Sequence, residues 1–267
     1  RAGGRRTPRR KMQNWCERIR YMRVLVDGVQ ELNEQIADDS ISAAQINPDL
    51  VTGYLSFYNR VVKRILDVFF ACILTICLFP VGLVVALAIV IEDGFPVFYR
   101  AERGGYLGKP FYICKFRSMI RGADKIGRGT TALHDNRITK VGSVIRKLKI
   151  DEFPNLLNIL KGDMSFIGPR PDMLRYTNAY SGTEKFILNV RPGISDYSSI
   201  AFINLDEMVG SEHADDVYEQ QILPQKNKLR VKYAATVSFY TDVRLFVLTV
   251  WKVLEKGFNF LIRGKHR

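Results

Sequence analysis

One stretch constrains this chain more than any other. From Ile65 to Ile91 it reads ILDVFFACILTICLFPVGLVVALAIVI, 27 residues in which Asp67 is the sole charge. A straight helix of that length measures about 40 Å against a hydrocarbon core of about 30 Å, so it is long enough to cross a bilayer. The stretch begins more than sixty residues in, exceeds a signal-peptide core and is followed by no small-residue cleavage pattern, which argues against a secretory signal. Pro80 lies just past its middle. The fifteen residues before it and the eleven after it reach only about 22 and 16 Å, too little for either half to cross alone. A kinked span and a re-entrant hairpin both fit this pattern. The flanks favour the hairpin, because Arg60, Lys63 and Arg64 precede the stretch and Arg100, Arg103 and Lys109 follow it, a cytoplasmic signature at both ends. The expectation is a helix that enters the membrane, breaks at Pro80 and returns to the same face, its freed backbone groups shielded by protein or interface.

The remaining sequence is basic. Forty Lys and Arg against 27 Asp and Glu give a formal charge of +13, which calls for an anionic partner: nucleic acid, acidic lipid or a phosphorylated substrate. Cys16, Cys72, Cys77 and Cys114 show no C-x-x-C spacing, and two lie in the apolar stretch, so a reducing, cytosol-facing protein is expected. His134, His213 and His266 show no H-x-x-x-H spacing, which argues against zinc.

Residues 1–11 read as a solvated basic arm, and 15–56 carry mixed helical signals (Val26, Val29, Leu32, Ile36) that stop near Asn47-Pro48. After the apolar stretch, two aromatic and β-branched runs flank Gly104-Gly105 to Gly108, the pattern of a β-hairpin. A polar loop is expected from Arg121 to Asn136. A helical pattern follows from about Ser143, and a second helix starts at Pro154, with Asp151 and Glu152 just ahead of it. Residues 241–257 form a helix apolar nearly all round, with Trp251 and flanking cations suited to a membrane interface or to core burial.

Asp151-Glu152 suits helix capping. The same geometry keeps a carboxylate ionised beside a bound phosphate, and a carboxylate so placed can attack phosphorus. In Gly168-Pro169-Arg170-Pro171 and Arg191-Pro192-Gly193 an arginine is fixed between restricted residues, as a phosphate clamp requires; a rigid turn with an incidental arginine reads the same. Lys115 and Arg117 are two apart on an expected strand and so share a face.

The order of these pieces is more specific than any one of them. K-R-x-x-D from Lys63 to Asp67, K-F-R-S-M from Lys115, the 22 residues from Ile150 to Pro171 and R-P-G-I from Arg191 together resemble the bacterial sugar transferases called monotopic polyprenyl-phosphate phosphoglycosyl transferases. The resemblance spans about residues 60–255. It implies an α+β, mostly helical fold: a basic arm and uncertain helical segment (1–59), a re-entrant helix-break-helix (60–94) and a globular cytoplasmic domain (95–267) with a small β-hairpin and interfacial amphipathic helices.

It also implies transfer of a sugar-1-phosphate from a UDP-sugar to undecaprenyl phosphate at the cytoplasmic face of the inner membrane. UMP is released by a ping-pong mechanism that initiates a surface glycan. Asp151 matches the nucleophile and Glu152 its partner associated with Mg²⁺. Lys115, Arg117, Arg137, Arg146, Arg170 and Arg191 match basic positions around the diphosphate and nucleotide. The implied partners are UDP-sugar, undecaprenyl phosphate and inner-membrane lipid, with a homo-oligomer allowed and nucleic acid not expected; the rival reading is a non-enzymatic, membrane-tethered basic module for nucleic acid or anionic lipid. The chain departs from the common pattern twice. Ser195-Asp196-Tyr197-Ser198-Ser199 replaces T-G-x-x-Q, and Phe79-Pro80 replaces Ser-Pro, so that Thr75 or a neighbouring element has to compensate the carbonyl that Pro80 frees.

Overall fold

The structure is a computed structural model that describes residues 27–28, 30–123, 135–210 and 214–263. The basic arm, Val26, Val29, Cys16, all three histidines and most of the loop expected from Arg121 to Asn136 lie outside the described residues.

The apolar stretch forms one helix, Lys63–Asp93, entered through a π-turn at Tyr58–Val62. At 31 residues it is about 46 Å long. Helical hydrogen bonding continues through Pro80, so the expected break is not a break in secondary structure. Thr75 does not compensate the proline. Its hydroxyl donates to the Ala71 carbonyl at 2.7 Å, five residues before the Ile76 carbonyl that Pro80 leaves without its N–H, because a helical threonine reaches its own i−4 carbonyl.

Both ends of this helix are fastened to the same globular body. At its start Lys63 pairs with Asp242, and Asp67 accepts from the Ser165 hydroxyl at 3.0 Å and the Phe166 N–H at 3.2 Å. Arg64 donates to the Ile159 and Leu160 carbonyls, filling the open end of helix Asn155–Lys161. Each polar residue of K-R-x-x-D is therefore a tie. At the far end Glu92 accepts from the Lys140 and Val141 N–H groups at 2.7 and 2.9 Å, where the helix Lys140–Lys147 presents its positive end. Between the ends Ala71 packs with Phe111, Ile159 and Met164, and Val85 and Ile89 pack with Phe116 and Ile145. The opposite face, including Phe69, Ile76, Phe79, Val84 and Ile91, is exposed.

β1 (Phe98–Arg103) and β2 (Phe111–Phe116) form the expected antiparallel hairpin, in register from Phe98↔Phe116 to Arg103↔Phe111. The other edge of β2 is closed by a side chain: Asn158 accepts from the Cys114 N–H and donates to the Tyr112 carbonyl, as a strand residue would. The helix expected from Ser143 starts at Lys140, because Thr139 caps it by accepting from the Gly142 N–H at 2.9 Å. A parallel pair, β3 (Ser165–Ile167) with β4 (Gly193–Ser195), was not foreseen in the sequence. It brings the two Pro-bounded arginine turns together. A Cβ on Gly168 would collide with the Arg191 carbonyl and one on Gly193 with the Gly168 backbone, so both positions require glycine.

The C-terminal helix runs Phe239–Arg263, longer than expected; Leu245 points into the core while Val243, Phe246, Val247, Val250 and Trp251 are exposed. The segment before the apolar helix is more than an arm. Leu32, Ala43, Ile46 and Val51 are buried in the main core with Ile167, Val190, Val231, Tyr233 and Leu245. Leu32→Ala is expected to lower stability by about 2–4 kcal/mol, the cost of a core cavity, with a lower melting temperature in detergent; an unchanged melting point would remove this segment from the core.

Candidate active site

The turn after helix Lys140–Lys147 sets the site. Lys149 adopts left-handed backbone, φ 59°, a costly conformation for a non-glycine residue, and redirects the chain into the single 3-10 turn Ile150–Glu152. Asp151 and Glu152 both become buried there. The acids thus precede helix Asn155–Lys161 by one tight turn, ahead of Pro154 as its sequence suggested.

The two carboxylates are treated differently. Glu152 is held on both oxygens: Lys115 donates to Oε1 at 3.2 Å, Arg170 Nη2 donates to Oε1 and Arg170 Nη1 to Oε2 at 3.1 Å. Burial opposes ionisation of Glu152, but Arg170 and Lys115 outweigh it and hold the carboxyl well below its usual range. Asp151 has no such partner. Its Oδ1 is buried without a hydrogen bond, and burial, then the charge of Glu152, push its carboxyl up against the pull of Lys115, Lys149 and Arg146. One acid is neutralised in place. The other presents a bare oxygen.

Asp151 and Glu152 line a cavity of about 1230 Å³ whose walls carry thirteen Lys and Arg against three acids among the described residues. Leu74 and Leu78 of the apolar helix and Phe153 and Leu156 give part of the wall an apolar surface. A cationic chamber bordered by hydrocarbon suits an anionic headgroup on an apolar tail, and the paired acids suit attack on phosphorus.

The basic residues singled out in the sequence are not all brought together. Lys115, on β2, and Arg170, held also by the Ile194 carbonyl at 3.0 Å, touch Glu152 directly. Burial pulls the Lys115 ammonium down, partly offset by Glu152, whereas Glu152 raises Arg170 above its ordinary value. Arg146 lines the cavity from the last turn of its helix. Arg137 and Arg117 also line it, but Arg137 grips Asp135 and Arg117 is bound to the Asp93 and Gly94 carbonyls at the end of the apolar helix. Arg191 is placed apart from the cavity lining: its guanidinium lies over the Tyr106 ring at 4.8 Å and donates to the Gly162 carbonyl. Pro80 stands within the apolar helix.

Three cavity residues escaped the sequence reading. Asp172 forms a buried ion pair with Arg230 at 2.9 Å, and Lys226 sits one turn before Arg230 on helix Leu223–Thr236. Spacing held the signal: Lys226, Arg230 and Ala234 recur at i, i+4 and i+8, a core-facing stripe that starts with two cations. The departing loop is also explained. Asp196 is fully buried, caps helix Tyr197–Ala201 by accepting from the Ser199 N–H at 2.7 Å, and bonds the Ser198 and Ser199 hydroxyls, while both serines line the cavity.

Arg170→Gln should leave Glu152 buried with Lys115 alone. A loss of about 2–3 kcal/mol at neutral pH is expected, shrinking in acid: the stability supplied by a carboxyl with a depressed pKa is present above its unfolded value and disappears as pH falls and it protonates. Denaturant melts of both forms from pH 7 to 4 check this, and parallel curves would refute the pairing.

Residues 58–256 match the family described as bacterial sugar transferase. A Bacillus subtilis protein named uncharacterized sugar transferase EpsL is 36% identical over 194 residues, 73% of this chain and 88% of that protein. A UDP-glucose:undecaprenyl-phosphate glucose-1-phosphate transferase of Caulobacter vibrioides is 33% identical over 72% of this chain and 69% of its own length. A UDP-N-acetylgalactosamine-undecaprenyl-phosphate N-acetylgalactosaminephosphotransferase of Aeromonas hydrophila is 40% identical over 52% of this chain and 34% of its own length.

Proposed function

We propose a reaction for this chain from one premise: it belongs to the bacterial sugar transferase family. It is an enzyme of that family, a phosphoglycosyl transferase onto undecaprenyl phosphate, which sets aside the non-enzymatic basic module. The donor is a UDP-sugar and the product a lipid diphosphate sugar that starts a glycan. The named relatives divide between glucose and N-acetylgalactosamine, so the proposal stops at the sugar class.

The observation that carries the mechanism is the asymmetry of the dyad. Asp151, with its buried, unbonded oxygen, is the nucleophile; Glu152, saturated by Arg170 and Lys115, fixes those cations beside it. An Asp151 oxygen attacks the sugar-bearing phosphorus, a P–O bond forms, the bond to UMP breaks and UMP leaves. An oxygen of undecaprenyl phosphate then attacks the same phosphorus, the bond to Asp151 breaks and the carboxylate is restored. Covalent catalysis of this kind splits a transfer between a water-soluble and a lipid substrate into two steps. The Lys and Arg of the cavity wall offset the charge that develops on the phosphoryl oxygens. Mg²⁺ takes one or two carboxylates with phosphate oxygens and water, so it would be held beside the dyad by the Asp151 oxygen that does not attack phosphorus; Glu152, which the resemblance matches to the ion, accepts from Lys115 and Arg170 on both oxygens. Bound there, the ion supplies further charge neutralisation.

Asp151→Asn is expected to abolish both UMP release and a phosphosugar adduct seen by intact mass, with wild-type melting. Near-normal UMP release would assign the nucleophile elsewhere. Because the nucleophile has to be ionised and its pKa is raised, wild-type turnover should fall as pH drops through that raised value.

The protein sits on the cytoplasmic face of the inner membrane, with both ends of the apolar helix on that face. A straight crossing would place Lys63 and Asp93 on opposite sides, yet both ends are tied to one globular body. Cysteines introduced at Ser56 and Glu102 should react with an impermeant reagent from the same side; opposite-side labelling would overturn this topology.

A further inference from the structure

Helix Leu223–Thr236 carries two cations into the cavity wall, and their partners differ. Arg230 is 1% exposed, and its Nη1 donates to Asp172 at 2.9 Å, to Asn227 at 3.0 Å and to the Tyr180 hydroxyl at 3.4 Å. Lys226 is 6% exposed and has a single acceptor, the Tyr218 hydroxyl at 3.5 Å, with the ring of the same tyrosine 5.0 Å away. Among the described residues no carboxylate lies within ion-pair distance of its ammonium. Asp172 is taken by Arg230, Glu152 by Arg170 and Lys115, and Asp196 by its own serines. An ammonium has three donors, and burying it without a counter-charge is costly unless an anion arrives.

We propose that Lys226 is a phosphate-binding residue of this site, its ammonium taking a non-bridging oxygen of a substrate phosphate on the Arg170 side of the cavity. The inference rests on the phosphoglycosyl transferase reading and deepens it. The surrounding charge favours an anion over a neutral sugar: Arg230 and Arg170 act on Lys226 with Asp172 and Asp196 opposing them, and an anionic oxygen adds the counter-charge that the buried ammonium lacks. Burial, reinforced by Arg230 and Arg170, brings the ammonium down to about 7, so a bound phosphate would also draw a proton onto it. Two phosphates offer the same chemistry, that of the nucleotide and that of the polyprenyl acceptor.

The test measures binding of UMP, uridine and a short-chain polyprenyl phosphate to the full chain in detergent, for wild type, Lys226→Met and Lys226→Arg, from pH 6 to 8.5. Lys226→Met should weaken one phosphate probe about tenfold or more and leave uridine within about twofold. Lys226→Arg should restore most of the loss. Weakened UMP assigns the residue to the donor, weakened polyprenyl phosphate to the acceptor. Wild-type affinity for that probe should decline above about pH 7 relative to the Met variant, since the free amine must then take up a proton to bind. The proposal falls if Lys226→Met binds both phosphate probes as wild type does, if it loses uridine as much as UMP, or if the pH profiles run parallel. A wild type that binds UMP through Lys226 yet releases none from any UDP-sugar would overturn the reaction and leave this site standing; normal turnover with unaltered Lys226→Met binding would overturn this site alone.

Discussion

The foot of the apolar helix is where the structure is pinned. Lys63 and Asp67 enter a region shielded from water, where a charged or polar group is tolerable only with partners in place. Lys63 draws Asp242 from the C-terminal helix, and Tyr58 and Tyr233 supply that carboxylate with hydroxyls at 2.8 and 2.7 Å. Asp67 fixes the start of β3 through Ser165 and Phe166. β3 then pairs with β4, the turn after β3 carries Arg170, and Arg170 neutralises Glu152. The fastening of the apolar helix and the charge balance at the dyad are thus successive links of one hydrogen-bonded path.

That path gives the dyad its chemistry. Two adjacent acids in a buried turn would share their repulsion if left alone, and neither would be a defined base or nucleophile. Here the cations go to Glu152, so the cost of burial is met on one side and an unbonded oxygen is left on the other. The strained backbone at Lys149 fits the same scheme, because the turn it forces is what sets the two carboxyls side by side.

Much of this was legible in the sequence. The apolar helix, the hairpin and the position of Asp151-Glu152 follow from hydropathy, from glycines and from Pro154, all local signals. The β3–β4 pair was not legible, since each strand has three residues and pairing between positions 28 apart, Ser165 with Gly193 and Ile167 with Ser195, leaves no periodic trace. Arg191 and Arg170 look equivalent in sequence, each between restricted residues, yet one stacks on Tyr106 and the other binds Glu152, a difference decided by tertiary pairing alone. Lys226 and Arg230 were hidden because cations on a helix usually mark a solvated face, and here the stripe points inward.

The residues ahead of the family match lead to a practical boundary. Leu32, Ala43, Ile46 and Val51 cover Ile167, Val190 and Val231, the Thr183 hydroxyl donates to the Ala43 carbonyl and the Lys228 ammonium to that of Asp38 at 2.6 Å. A fragment cut at residue 58, where the family match begins, would strip that cover and lay bare an oily patch directly behind β3. The unit that folds is therefore longer than the family match, and any expression boundary chosen for this protein belongs upstream of Leu32.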